Sequence, residues 1–107
     1  MFAARIARGC KVLNKIKPGW TREIDLDDLD MGNCGRCVLG QLFGDFSEGA
    51  YRVYELGYKP TQSGFTLKYI PEEARAGYAR LTKEWKSKIR ELRRRRKEKK
   101  NGPATRL

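Results

Sequence analysis

The chain has no histidine among its 107 residues. That removes the side chain most often recruited for general acid–base and nucleophilic catalysis, so a non-enzymatic protein is expected. Cysteine is scarce and odd in number, with only Cys10, Cys34 and Cys37, which argues against a secreted disulfide framework. No segment approaches the roughly 20 apolar residues of a membrane span, so no membrane partner is expected. The opening MFAARIARGCKVLNK carries a basic residue every three or four positions. It therefore reads as a first core helix rather than a signal or transit peptide, and the chain as cytoplasmic.

Negative charge is also scarce, and unevenly so. Residues 1–60 hold nine Lys/Arg against eight Asp/Glu, whereas residues 61–107 hold fifteen against five. A hydrophobic fraction of 39% beside a charged fraction of 35% implies that part of the chain forms no core. The pattern predicts a near-neutral domain over 1–92 joined to a basic C-terminal extension over 93–107.

Local signals place the elements. Phe2, Ile6, Cys10 and Leu13 recur at helical spacing, and Pro18-Gly19 ends that helix. Residues 22–26 alternate polar and apolar around Ile24 and Leu26, as do Phe65, Leu67 and Tyr69 around Thr66 and Lys68. The two runs predict a two-stranded antiparallel ribbon. CVLGQLF reads as a short helix closed by Gly44, and EGAYRVYEL as another, capped by Ser47 and stopped by Gly57, with Ala50, Val53, Tyr54 and Leu56 on or near its buried side. Pro71 with Glu72 and Glu73 opens a long helix whose stripe is Ala74, Tyr78, Leu81, Trp85, Ile89 and Leu92. The expected fold is mainly α with a small two-stranded antiparallel β-ribbon (α+β) and a long amphipathic C-terminal helix. Trp20, Leu39, Phe43, Val53, Leu56, Phe65, Leu81 and Trp85 are its expected core.

Three features could carry chemistry. Seven of the eight residues from Arg93 to Lys100 are cationic, and Lys83, Lys86, Lys88 and Arg90 extend that charge back along the helix. Like charges so close cost helix stability, a cost that a dense polyanion converts into affinity by counterion release. Arginine's bidentate fork favours phosphate over carboxylate-bearing protein. The expected nucleic-acid contacts are Lys86, Arg90, Arg93, Arg94, Arg95, Arg96, Lys97, Lys99 and Lys100, sequence-blind for want of a base-reading motif. The pair Cys34-Gly35-Arg36-Cys37 supplies half a zinc site. With Cys10 it makes three ligands, short of the four that zinc takes, so no metal or other cofactor is expected and a small zinc module is the weakest alternative. The acidic run Asp25, Asp27, Asp28 and Asp30 lacks the glycine and distal glutamate of a calcium loop and reads as capping and turn residues.

The segments KPGW, IDLDDLD, CVLGQLFG and YARLTKEW, in that order, resemble a group of short proteins of actinobacteria and the phages that infect them. The likeness covers roughly residues 4 to 90 and leaves the basic run outside it. It brings no catalytic motif and implies origin and setting rather than mechanism: the cytoplasm of a bacterium or phage-infected cell. In that group the first cysteine of CGRC is not fixed, which weighs against zinc and redox chemistry. The expected function is thus an accessory protein, phage-derived, that contacts nucleic acid or a nucleoprotein complex through its basic helix. The alternative is a module whose folded body binds a host protein or phage complex such as polymerase or ribosome.

Overall fold

A computed structural model describes residues 2–67 and 74–105, with side chains in the last helix described as far as Arg96. The first helix, α1 (Ala3–Ile16), buries Ile6, Gly9, Cys10, Val12 and Leu13 as its spacing predicts. It stops where Pro18 follows, and Gly19 takes the left-handed conformation (φ 82°) that lets the chain reverse into a 3₁₀ turn, Trp20–Arg22. After a run of turns come α2 (Val38–Phe43) and α3 (Phe46–Glu55). A second 3₁₀ turn, Pro60–Ser63, precedes the long α4 (Ala74–Thr105).

Two glycines let these elements approach. A Cβ on Gly9 would lie 2.2 Å from the Ser63 carbonyl oxygen, so α1 rests directly on the second 3₁₀ turn. A Cβ on Gly49 would lie 2.6 Å from Leu39 Cβ, which brings α2 and α3 into backbone-close contact. At the centre, Trp85 of α4 stacks on Phe65 (centroids 5.6 Å apart, planes at 15°) and meets Trp20 edge to face (6.0 Å, 84°). The indole polar ends are satisfied: Trp85 Nε1 donates to the Gly64 carbonyl at 2.6 Å, and Trp20 Nε1 to Asn14 Oδ1 at 3.0 Å. This aromatic cluster holds α4 against the body.

The expected ribbon is absent: the described residues contain no strand. Side chains have taken the place of the ladder. Gln41 accepts from the Asp25 backbone N–H (2.7 Å) and donates to its carbonyl (3.1 Å), as a neighbouring strand would. Arg93 takes the carbonyl of Ile24, while the Leu67 N–H is met by the Tyr78 hydroxyl at 3.4 Å. Phe65 points into the core from an irregular segment, and Tyr69, Pro71, Glu72 and Glu73 lie outside the described residues.

Two smaller expectations are also corrected. Asp45, not Ser47, caps α3: its carboxylate accepts from the Ser47 N–H at 3.0 Å. The buried edge of α3 is Gly49, Ala50 and Val53, so Tyr54, one residue past Val53, turns outward (60% exposed), and Leu56 ends the helix 40% exposed. Leu56 is therefore not core, and Phe43 is half-buried at its edge, whereas Trp20, Leu39, Val53, Phe65, Leu81 and Trp85 are fully buried.

Candidate nucleic-acid interface

Helix α4 advances about 100° per residue, so its side chains sort into faces. Leu81, Trp85 and Ile89 are fully buried, with Tyr78 and Leu92 packed at the margins. Opposite them, within an arc of about 60°, lie Lys83, Ser87, Arg90 and Arg94, all exposed. Glu84 and Glu91 run along one flank. Glu91 binds Arg95 at 2.7 Å and Lys88 at 3.6 Å, which occupies those two cations. Among the described ion pairs none engages Lys83, Lys86, Arg90, Arg94 or Arg96.

Arg93 stands apart from the rest of the run. Its Nε and Nη2 donate to the Thr21 carbonyl at 2.9 and 2.6 Å, and Nη2 also reaches the Ile24 carbonyl. The guanidinium satisfies the open end of the Trp20–Arg22 turn, so Arg93 latches α4 to the body. Arg93 is thus tied to the folded body through Thr21 and Ile24. From Arg94 the backbone continues as helix to Thr105, a further 18 Å or so at about 1.5 Å per residue. Arg94, Arg95 and Arg96 there face three different sides. The side chains of Lys97, Lys99 and Lys100 lie outside the described residues.

The other sequence candidates have structural roles. Asp25 Oδ1 accepts from the N–H groups of Asp27 (3.0 Å) and Asp28 (3.3 Å), and Asp30 Oδ1 from Gly32 (2.9 Å). Arg36 Nε lies 3.0 Å from Asp28 Oδ1, closing the acidic loop on itself. Cys37 caps α2, its sulfur accepting from the Gly40 N–H at 3.2 Å. Burial raises its thiol pKa, an effect partly offset by that hydrogen bond. Cys10 is buried on α1, where desolvation pushes its thiol up to about 11 against the pull of Lys88. Cys34 is exposed, and among the described residues no three Cys, Asp or Glu side chains converge as a metal site.

Lys83 and Ser87, which are not among the expected contacts, share the exposed face of α4 with Arg90 and Arg94, whereas Arg93, which is among them, turns its guanidinium to the body. The first pair was legible: steps of four, three and four from Lys83 to Arg94 nearly repeat the buried stripe's rhythm on the opposite face. Arg93 carried no such mark, because its acceptors are backbone carbonyls 69 and 72 positions away. No helix among the described residues is long and apolar enough to cross a membrane. No family of known proteins, no curated protein and no solved structure matches the chain.

Proposed function

We propose that this protein is a non-enzymatic accessory factor that binds nucleic acid without sequence preference through α4, in a bacterial or phage-infected cell. The observation that carries the reading is the pairing pattern on that helix. Lys83, Lys86, Arg90, Arg94 and Arg96 have no described ion-pair partner, while nearby Arg93, Lys88 and Arg95 are each engaged. Unneutralised cations crowded on one helix are costly to the free protein and favourable beside phosphate. The setting follows from the resemblance in KPGW, IDLDDLD, CVLGQLFG and YARLTKEW.

The direct test compares the full chain with one ending after Arg93, which keeps the latch. Both should melt alike by circular dichroism, and only the full chain should retain strong binding to a fluorescein-labelled duplex at about 50 mM salt, where phosphate contacts are least screened. Equal affinity of the two chains would refute a tail-driven contact.

A second reading rests on α3, which leaves Tyr51 64% and Tyr54 60% exposed beside Leu56. Tyrosines presented this way are typical anchors of protein interfaces. The folded body would then bind a host or phage complex, with α4 strengthening attachment where nucleic acid is near. Tyr51→Ser with Tyr54→Ser should abolish capture of that partner and leave duplex binding unchanged; unchanged capture would discard this reading.

A further inference from the structure

We infer that the outer face of α4, from Lys83 through Ser87 and Arg90 to Arg94, is a docking surface for B-form duplex DNA. The inference rests on the nucleic-acid reading above and goes beyond it in surface and in partner. The surface begins on the folded body, three turns before the tail, and includes Lys83 and Ser87 while excluding Arg93, Lys88 and Arg95.

Charge geometry supports the surface. Three cations without a described ion-pair partner and one small polar residue share an arc of about 60° over a length of about 16 Å. A duplex lying alongside offers about one charge per 1.7 Å of axis, so this length meets roughly ten charges. Ser87 sits mid-face and, with Ala79, Arg80, Lys83 and Glu84, lines a shallow depression of about 540 Å³. A short side chain there lets a sugar–phosphate strand approach between Lys83 and Arg90. Glu91 stays on the flank with Lys88 and Arg95, so Glu84 is the one carboxylate at the rim of that depression.

The form of nucleic acid follows from two further features. Single-strand binders rely on exposed aromatics on which bases stack, and this face carries none: Tyr78 and Trp85 both turn toward the body. Beyond Arg93 the backbone stays helical to Thr105, and Arg94, Arg95 and Arg96 put cations on three sides of it. A bare helix is about 10–12 Å across, matching the B-DNA major groove of about 12 Å, whereas the deep, narrow major groove of A-form RNA excludes it. The outer face lies along the phosphate backbone while the projecting end enters the groove.

The test removes equal charge from two faces. Lys83→Gln with Arg90→Gln acts on the outer face, and Lys88→Gln with Arg95→Gln on the paired flank; both leave the tail beyond Arg95 intact. Anisotropy of a labelled 20-base-pair DNA duplex at about 100 mM salt should show the outer pair weakening binding tenfold or more and lowering the salt slope by about two, and the flank pair changing affinity less than about threefold. Ser87→Asp, a single exposed change, should weaken binding by itself. Equal losses from the two pairs would reduce the effect to net charge and overturn the surface. No loss from the outer pair or from Ser87→Asp, with binding still lost on trimming after Arg93, would also overturn it while leaving the nucleic-acid reading standing. Failure of the full chain to bind any nucleic acid would defeat both. Single-stranded DNA, duplex RNA, phosphatidylserine vesicles and a polyglutamate peptide serve as competitors, and any of them binding as tightly as duplex DNA would overturn the partner.

Discussion

Arg93 and Arg94 are neighbours in a run of four arginines and have opposite roles. Arg93 gives its donors to two backbone carbonyls of the Trp20–Ile24 segment, and Arg94 gives none among the described residues. Arg93→Ala strands those acceptors and should lower stability by about 1–3 kcal/mol in urea denaturation, with Arg94→Ala near neutral. Arg93→Lys keeps the charge without the planar fork and should recover only part of the loss. The cysteines divide in a similar way. Cys34 alone is exposed, so one equivalent of a thiol reagent should add to the native protein and three to the unfolded chain, counted by mass spectrometry. Cys10 also supplies a pH dependence. Its unfolded thiol ionises near 9.0 and the folded one near 11, so its contribution is intact below pH 9 and lost as pH rises from about 9 to 11. Urea midpoints at pH 8 and pH 10.5 should therefore fall further for the wild-type chain than for Cys10→Ala; equal falls would argue against that assignment.

At the scale of elements, close approach matters more than propensity. Gly9→Ala places a methyl carbon 2.2 Å from a backbone oxygen, and backbone cannot turn aside as a side chain can. It should destabilise by more than about 2 kcal/mol despite alanine's better helix propensity, a sign that chemical denaturation would read directly. The helices were legible because their apolar residues keep a 3.6-residue rhythm: α1 from Phe2 to Leu13 and α4 from Tyr78 to Leu92 fall where the spacing puts them. The ribbon was misread because period-two alternation over five residues records only which side chains turn inward. It is blind to who satisfies the backbone, and here Gln41, Tyr78 and Arg93 do so from distant positions. On α3, Leu56 reads as apolar and thus buried, yet it falls where the helix is already leaving the body.

For the whole molecule, α4 is one continuous helix with two parts. As far as Arg93 it is a core element, clamped by the Trp20–Trp85–Phe65 cluster and the Arg93 latch. Its outer face and the stretch beyond the latch are cationic, and the molecule is correspondingly long, 55 Å against 28 and 23 Å. The basic run made the cationic character of this helix legible in the sequence. Which cations were available was not, because that depends on partners distant along the chain or on helical neighbours such as Glu91. The most direct test of this account is the affinity of the full chain for a DNA duplex between about 50 and 200 mM salt. With four to six phosphates engaged, log affinity should fall linearly against log salt with a slope of about −4 to −5. A flat line over that range would mean that no phosphate is neutralised, and α4 would then be a solvated helix rather than a binding arm.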